Sequence, residues 1–155
     1  FYLHNLVEGW RGLAFDDSVV VEEGFKMLEA VLWNFKNKIK AEEEFKKALV
    51  FETKWGKGIG AQTGNKHFLV LSEIKGYVLA LIKDPKSGGV RIHARPDSKV
   101  DLTFAYNKIK KIDAKADWFL HSSKKLLLNQ ASVVSMRPTE LKIEEIIKIL
   151  TKATK

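Results

Sequence analysis

The chain contains no cysteine. That excludes disulfides, thiolate-bound zinc and cysteine nucleophiles, and it leaves the redox compartment open. No apolar run approaches the ~18 residues that a membrane span needs. The first residues lack the charged-then-apolar order of a secretory signal, so a soluble cytoplasmic protein is the expectation, with no membrane partner. Convergent acid–base or metal-binding groups are missing too. His4, His67, His93 and His121 are scattered, and the lone acidic pair Asp16-Asp17 suits a helix cap. No catalytic residue, metal ligand or cofactor is therefore expected in this chain.

A Walker-type phosphate loop is also absent. Residues 55–66, Trp-Gly-Lys-Gly-Ile-Gly-Ala-Gln-Thr-Gly-Asn-Lys, are glycine-rich, but only three residues separate Gly60 from Gly64, and Asn-Lys follows. The motif needs four residues and then Gly-Lys-Ser/Thr. With strands expected on either side, the run reads as a flexible hairpin that presents no helix N-terminus to a phosphate. A second use is backbone contact with nucleic acid through Lys54, Lys57, Lys66 and His67, Trp55 serving as a stacking platform.

What is present is a 155-residue chain, 45% apolar and 30% charged, with a net charge of +8. This suits one globular domain, with residues 1–47 a mainly helical lead-in and 48–155 an α+β core. A chain beginning at Phe1 is expected to be a piece of something longer. The positive charge fits nucleic acid or phosphorylated ligands. The alternative is a thermophile-like surface of interspersed Lys and Glu.

Residues 1–17, with Phe1, Leu3, Leu6, Trp10 and Phe15, read as a short strand or helical turn and then a loop. Asp17 or Ser18 caps a long helix. Its stripe Val21, Phe25, Leu28, Leu32, Phe35 and Ile39 is expected in the core, widened by Val20, Met27 and Val31. A break near Lys40 and a second short helix through Lys47 follow. Residues 48–53, 68–71 and 77–82 read as strands, Gly76 turning between the last two. The connections are too short for helical crossovers, so the sheet is expected to be mostly antiparallel. Leu102, Ala105, Tyr106, Ile109 and Ile112 have helical spacing. Residues 117–121 and 125–129 read as a hairpin turning at Ser122-Ser123, and residues 130–138 as a loop. Thr139 caps a last helix that buries Ile143, Ile146, Ile147 and Leu150, with lysines through Lys155 near its end. The fold class is α+β: a small, mostly antiparallel sheet of about four to six strands, with a long N-terminal, a middle and a C-terminal helix.

The most informative stretch runs from Gly88 to Thr103. After a Gly-Gly turn, polar and apolar residues alternate with the period of a strand. Val90, Ile92 and Ala94 point one way; Arg91, His93 and Arg95 point the other, about 7 Å from one to the next. Two guanidinium forks and an imidazole on one face suit a phosphate or carboxylate. Salt bridges to Asp97, Asp101 or Glu73 are the bland alternative. Pro96 ends the strand, and Ser98 or Asp101 caps the helix beyond. His121-Ser122-Ser123-Lys124-Lys125 is the other candidate, a turn rich in hydroxyls, amides and lysines.

The run Arg91-Ile92-His93-Ala94-Arg95-Pro96-Asp97, continuing to Val100-Asp101-Leu102, resembles the Arg-x-Ser-x-Arg-Ser strand and helix entry of a known domain. This is the C-terminal, substrate-binding domain of DHH-family phosphoesterases, RecJ-like and nanoRNase-like enzymes, among which an archaeal member fits the composition. Arg91 and Arg95 match the family's arginines; His93 and Pro96 replace its serines. The family's Gly-Gly-Gly-His segment is missing, and the stretch from Leu120 to Lys125 is the nearest substitute. The resemblance covers roughly residues 48–130. It implies a substrate-binding accessory domain, part of a hydrolase, whose catalytic DHH domain, with its manganese, lies in the same or another chain. It further implies that Arg91, Arg95 and His121 hold a phosphate of a nucleic acid or phosphorylated small molecule, with His93, Ser122 and Lys124 beside it. The rival readings are a stand-alone basic nucleic-acid-binding module using Trp55 and Tyr77, and an assembly domain that forms a homodimer through the long helix and Trp10.

Overall fold

The computed structural model describes residues 2–13, 16–129 and 135–152. Phe1, Phe15, residues 130–134 of the expected loop and Lys155 lie outside the described residues. The chain forms two compact units, Phe1–Ile39 and Lys40–Lys155, and the boundary falls inside one long helix.

In the first unit, α1 (Leu3–Gly12) is a full helix where only a turn or a short strand was expected. It precedes α2 (Asp17–Lys46), which Asp16 starts: its carboxylate accepts from the Ser18 amide and its carbonyl from Val19 and Val20. α2 runs on without the break expected near Lys40. Val20 is buried, whereas every residue of the Val21-to-Ile39 stripe stays more than half exposed, 53–62%. The stripe is therefore not core.

The second unit takes the end of α2 and continues with β1 (Leu49–Thr53), β2 (Gly56–Gln62), α3 (His67–Ile74), β3 (Leu79–Lys83) and β4 (Val90–Ala94). It ends with α4 (Thr103–Ile112), β5 (Trp118–Leu120), β6 (Leu126–Asn129) and α5 (Ile143–Lys152). The strands form one sheet in the order β1-β2-β3-β4-β6-β5. Its pairings are antiparallel except β2 with β3, which α3 joins as a parallel crossover. The fold is α+β with a mostly antiparallel sheet.

Two local expectations are corrected. Residues 68–71 are helix, not strand: Phe68, Leu69 and Ser72 are buried at helical spacing, and the Ser72 hydroxyl donates to the Phe68 carbonyl at 2.7 Å. The glycine-rich run is not a flexible hairpin but mostly strand β2. Gly58 sits opposite Phe51, whose ring lies 2.5 Å from where a Cβ would be. A Cβ on Gly60 would meet Ile147 and Ile143 of α5 at 3.4–3.5 Å. Glycine here is the mark of close approach by a neighbour, not of looseness.

The sheet has two unlike faces. One carries Phe51, Leu79, Leu81, Val90, Ile92, Ala94, Trp118 and Leu127 into a core with α4 and α5. The predicted α5 face holds, with Ile149 added and Ile147 only partly buried. Thr139 does not cap this helix; its entry is tied by the Lys142 amide donating to Glu145 Oε2 at 2.7 Å. The opposite face carries Ile59, Ala61, Ala80 and Ile82 against Phe68 and Leu69 of α3, with Phe45 and Tyr77 at the margin. That second apolar cluster stops at β3.

Candidate phosphate-binding face

Beyond β3 the second face changes character. Register sets Ala80 beside His93 and Ile82 beside Arg91, then His93 beside Leu126 and Arg91 beside Leu128, then Leu128 beside Phe119. One more residue along, the His121 amide donates to the Leu126 carbonyl, which aligns His121 with Leu126 and His93. Arg91, His93, Leu126, Leu128, Phe119 and His121 thus share one face. The first four are half-buried; Phe119 is 49% exposed and His121 is exposed. With strands ~4.8 Å apart and ~3.3 Å per residue, the Cα atoms of Arg91 and His121 lie roughly 12 Å from each other. An arginine and a histidine reaching inward from that separation leave room for one small anion between them, with Leu126, Leu128 and Phe119 as an apolar floor.

The cations of this region differ in how they are held. Arg95 is committed: Nε and Nη2 make a two-point bond to Asp97 at 2.7 and 2.9 Å. This raises the arginine pKa and lowers that of Asp97, the hydrogen bond being the main cause of both. The Arg95 side chain is 34% exposed and that of Asp97 69%, so solvent screens the pair and it contributes little to stability. Its effect is to occupy a guanidinium that the resemblance assigns to phosphate. His93 Nδ1 lies 3.1 Å from Glu73 Oε1 of α3. Lys124 Nζ lies 3.4 Å from Asp101. The Asp101 carboxylate also accepts from the Thr103 amide at 2.8 Å, just ahead of α4, whose capping residue is Leu102; hydrogen bonding from Thr103 is the main cause of its lowered pKa. Arg91 alone among these has no side-chain hydrogen bond or ion pair with any described residue. It borders a pocket of about 110 Å³ shared with Gly64, Lys66, Asp84, Ser87 and Asn129. A half-buried guanidinium to which no carboxylate of the described residues is bonded is open to an anion from outside.

Backbone bonds fix the histidine turn. The Ser123 amide donates to His121 Nδ1 at 3.2 Å, and the Ser123 hydroxyl lies 2.9 Å from the same nitrogen. An amide can only donate, so the neutral ring carries its proton on Nε2, facing away from the turn. On His93 the arrangement is reversed, because Nδ1 faces a carboxylate and holds a proton. Ser122 is exposed in the turn. Lys124 has φ of 58°, the left-handed region that favours glycine. Its amide donates to the His121 carbonyl and its carbonyl accepts from Leu102, which staples the turn to the start of α4. Lys125 completes the staple: its carbonyl accepts from Ala94 and its ammonium donates to the Ser98 carbonyl.

The glycine-rich segment makes no phosphate cradle, for a reason other than the one expected. α3 does open directly after it. However, the Asn65 side chain takes the His67 amide at 3.1 Å, and the Asn65 and Lys66 carbonyls take the Phe68 and Leu69 amides. The helix entry is closed by its own chain. Trp55 carries Lys54 over its ring and Tyr77 packs edge-on against Phe45 at 5.5 Å, so both aromatics already have neighbours.

Sequence reading missed Phe119, Leu126 and Leu128 as parts of a face. The alternation of residues 117–121 held the signal for Phe119, since Trp118 packs inward. Glu73 was among the expected ion-pair partners of this strand, and it is His93 that meets it. Among the described residues no group of three His, Asp or Glu side chains gathers as metal ligands. No helix among them is long and apolar enough to cross a membrane. No protein-family model matches the chain, and no curated protein matches it.

Proposed function

We propose that the second unit is a substrate-binding domain that presents a phosphate ester to a catalytic domain of the DHH phosphoesterase kind. The observation that carries this reading is the register that sets Arg91, His93 and His121 on one sheet face around the exposed Phe119. Arg91 supplies a charged two-pronged donor, and the His121 Nε2–H donates to the same phosphate. Phe119, with the two leucines, offers a base a surface to stack on. Lys124 adds positive charge at the rim, tempered by Asp101. These groups hold and orient; no bond is made or broken by them. Their contribution to a reaction is position and electrostatic stabilisation of the phosphoryl oxygens.

Arg95 takes part only by exchanging Asp97 for the phosphate, which makes it the lesser of the two arginines. The phosphate of a nucleic acid or of a small phosphorylated molecule satisfies this chemistry equally. The test is titration of the purified chain with a short 5′-phosphorylated oligonucleotide and its unphosphorylated twin, at two salt concentrations, beside Arg91→Ala. Expected is a preference for the phosphorylated strand that the substitution abolishes. Equal, steeply salt-dependent binding of both strands would leave a general basic surface instead; no binding would sink the reading.

A further inference from the structure

Helix α2 has two apolar sides, and the described residues of the first unit cover only one. Trp10 lines a cleft with Val19, Val20 and Glu23, which marks the covered side, where Val20 is buried. The other side is the stripe of Val21, Phe25, Leu28, Leu32, Phe35 and Ile39. Its steps of four and three alternate without a fault, a mean period of 3.5 that matches a coiled-coil seam. Phe25, Leu32 and Ile39 occupy one heptad core position, and Val21, Leu28 and Phe35 the other. At ~1.5 Å per residue the seam is about 27 Å long.

We propose that this seam is a homodimer interface in which α2 packs antiparallel against α2 of a second copy. The seam is self-complementary about its midpoint at Ala30. In that arrangement Val21 meets the second copy's Ile39, Phe25 meets Phe35, and Leu28 meets Leu32, so all six side chains are matched by one two-fold axis. Charges agree with it. Glu22 and Lys36 occupy equivalent flanking positions and face each other twice across the axis. Glu22 otherwise shares only an exposed pair with Lys26 at 2.9 Å. On the other flank Val31 meets its own copy. Glu29, on the flank of Glu22 and Lys36, meets itself at the two-fold axis and is the one unfavourable pair. The exposed stripe amounts to on the order of 600 Å² of apolar side chain per copy, close to the ~800 Å² per partner of a standard stable interface.

The test is mass by light scattering on the full chain from 5 to 200 µM, with three variants. Wild type is expected at twice the chain mass. Leu28→Glu is expected at the single mass, with an unchanged circular dichroism spectrum, since position 28 is already exposed. Lys36→Glu is expected to weaken the dimer about tenfold, and Glu22→Lys in the same chain to restore it. Because the chain has no native cysteine, orientation can be read separately. A mixture of Leu28→Cys and Leu32→Cys chains is expected to cross-link to each other faster than either does to itself. A wild-type monomer at 200 µM overturns the proposal and assigns the seam to a different chain. So does a dimer that survives Leu28→Glu, or one in which Leu28→Cys cross-links only to itself.

Discussion

Arg91 and Ile92 are adjacent in the chain and live in opposite surroundings. Ile92 is fully buried between the sheet and its two helices, while Arg91, on the other side of the same strand, has no partner among the described residues. The contrast extends along β4, β6 and β5: one face is packed by helices, and the other stops being packed at β3. Leaving one open, and furnishing it with an unpaired arginine, two oriented histidines and an exposed phenylalanine, separates the residues that hold the fold from those available to a ligand.

That separation can be broken most severely from the buried side. Ile92→Ala is expected to lower unfolding free energy by about 3 kcal/mol in a urea titration; a loss under ~1 kcal/mol would mean that the packed face is not continuous there. Asn129→Leu comes next. Asn129 is fully buried, donates to the Asp117 and Arg137 carbonyls at 2.8 and 2.9 Å, and accepts from the Thr139 amide at 2.9 Å. Leucine strands all three, and a loss of about 2 kcal/mol is expected from the same titration. Arg91→Ala sharpens the contrast from the open side: stability should stay within ~0.5 kcal/mol of wild type, while phosphate-dependent affinity falls on the order of tenfold to a hundredfold. Loss of both would place Arg91 in the structure, not in a site.

The smallest effect is one of acidity. Arg137 holds Asp117 by two side-chain bonds, and its amide adds a third; these lower the carboxylate to about 2 from its ordinary 3.8. A carboxylate depressed in the folded state adds stability that is complete above its unfolded pKa and fades as pH falls through the folded one. Asp117→Asn should therefore lower the melting temperature slightly at pH 7. Between about pH 4 and pH 2 the two proteins should converge, and a gap that persists at pH 2 would contradict the assignment.

How much of this the sequence disclosed depends on whether a signal was local. β4 was readable because Val90, Ile92 and Ala94 alternate with polar residues, and the hairpin because its turn residues sit between two apolar runs. The apolar run at residues 68–71 looks the same as strand or helix until Ser72 is seen to be buried with Phe68 and Leu69. The glycines of β2 were misread because their cause, the ring of Phe51 and the α5 isoleucines, comes from other strands and helices. The α2 stripe was read as core because periodicity reports an apolar face without saying what covers it. Among the site residues, the shared side of Arg91 and His93 follows from alternation within one strand. The placement of His121 required the β4–β6 and β5–β6 registers, and the capture of His93 by Glu73 required the crossover through α3.

Order along the chain has one more consequence. Among the described strands, only β4 and β6 are neighbours in the sheet without being consecutive in the chain. Such a pairing closes a longer loop than the others and forms later. Arg91 and His93 lie on one side of that seam, and Phe119 and His121 belong to the hairpin on the other. The candidate site therefore does not exist until the hairpin has docked, and an anion bound across it acts as a clasp. At a hundredfold excess over Kd, such a ligand adds about 2.7 kcal/mol to folding stability. Most of that gain is expected to appear as slower undocking of the hairpin, so that the unfolding rate of this chain becomes a gauge of whether its open face is filled.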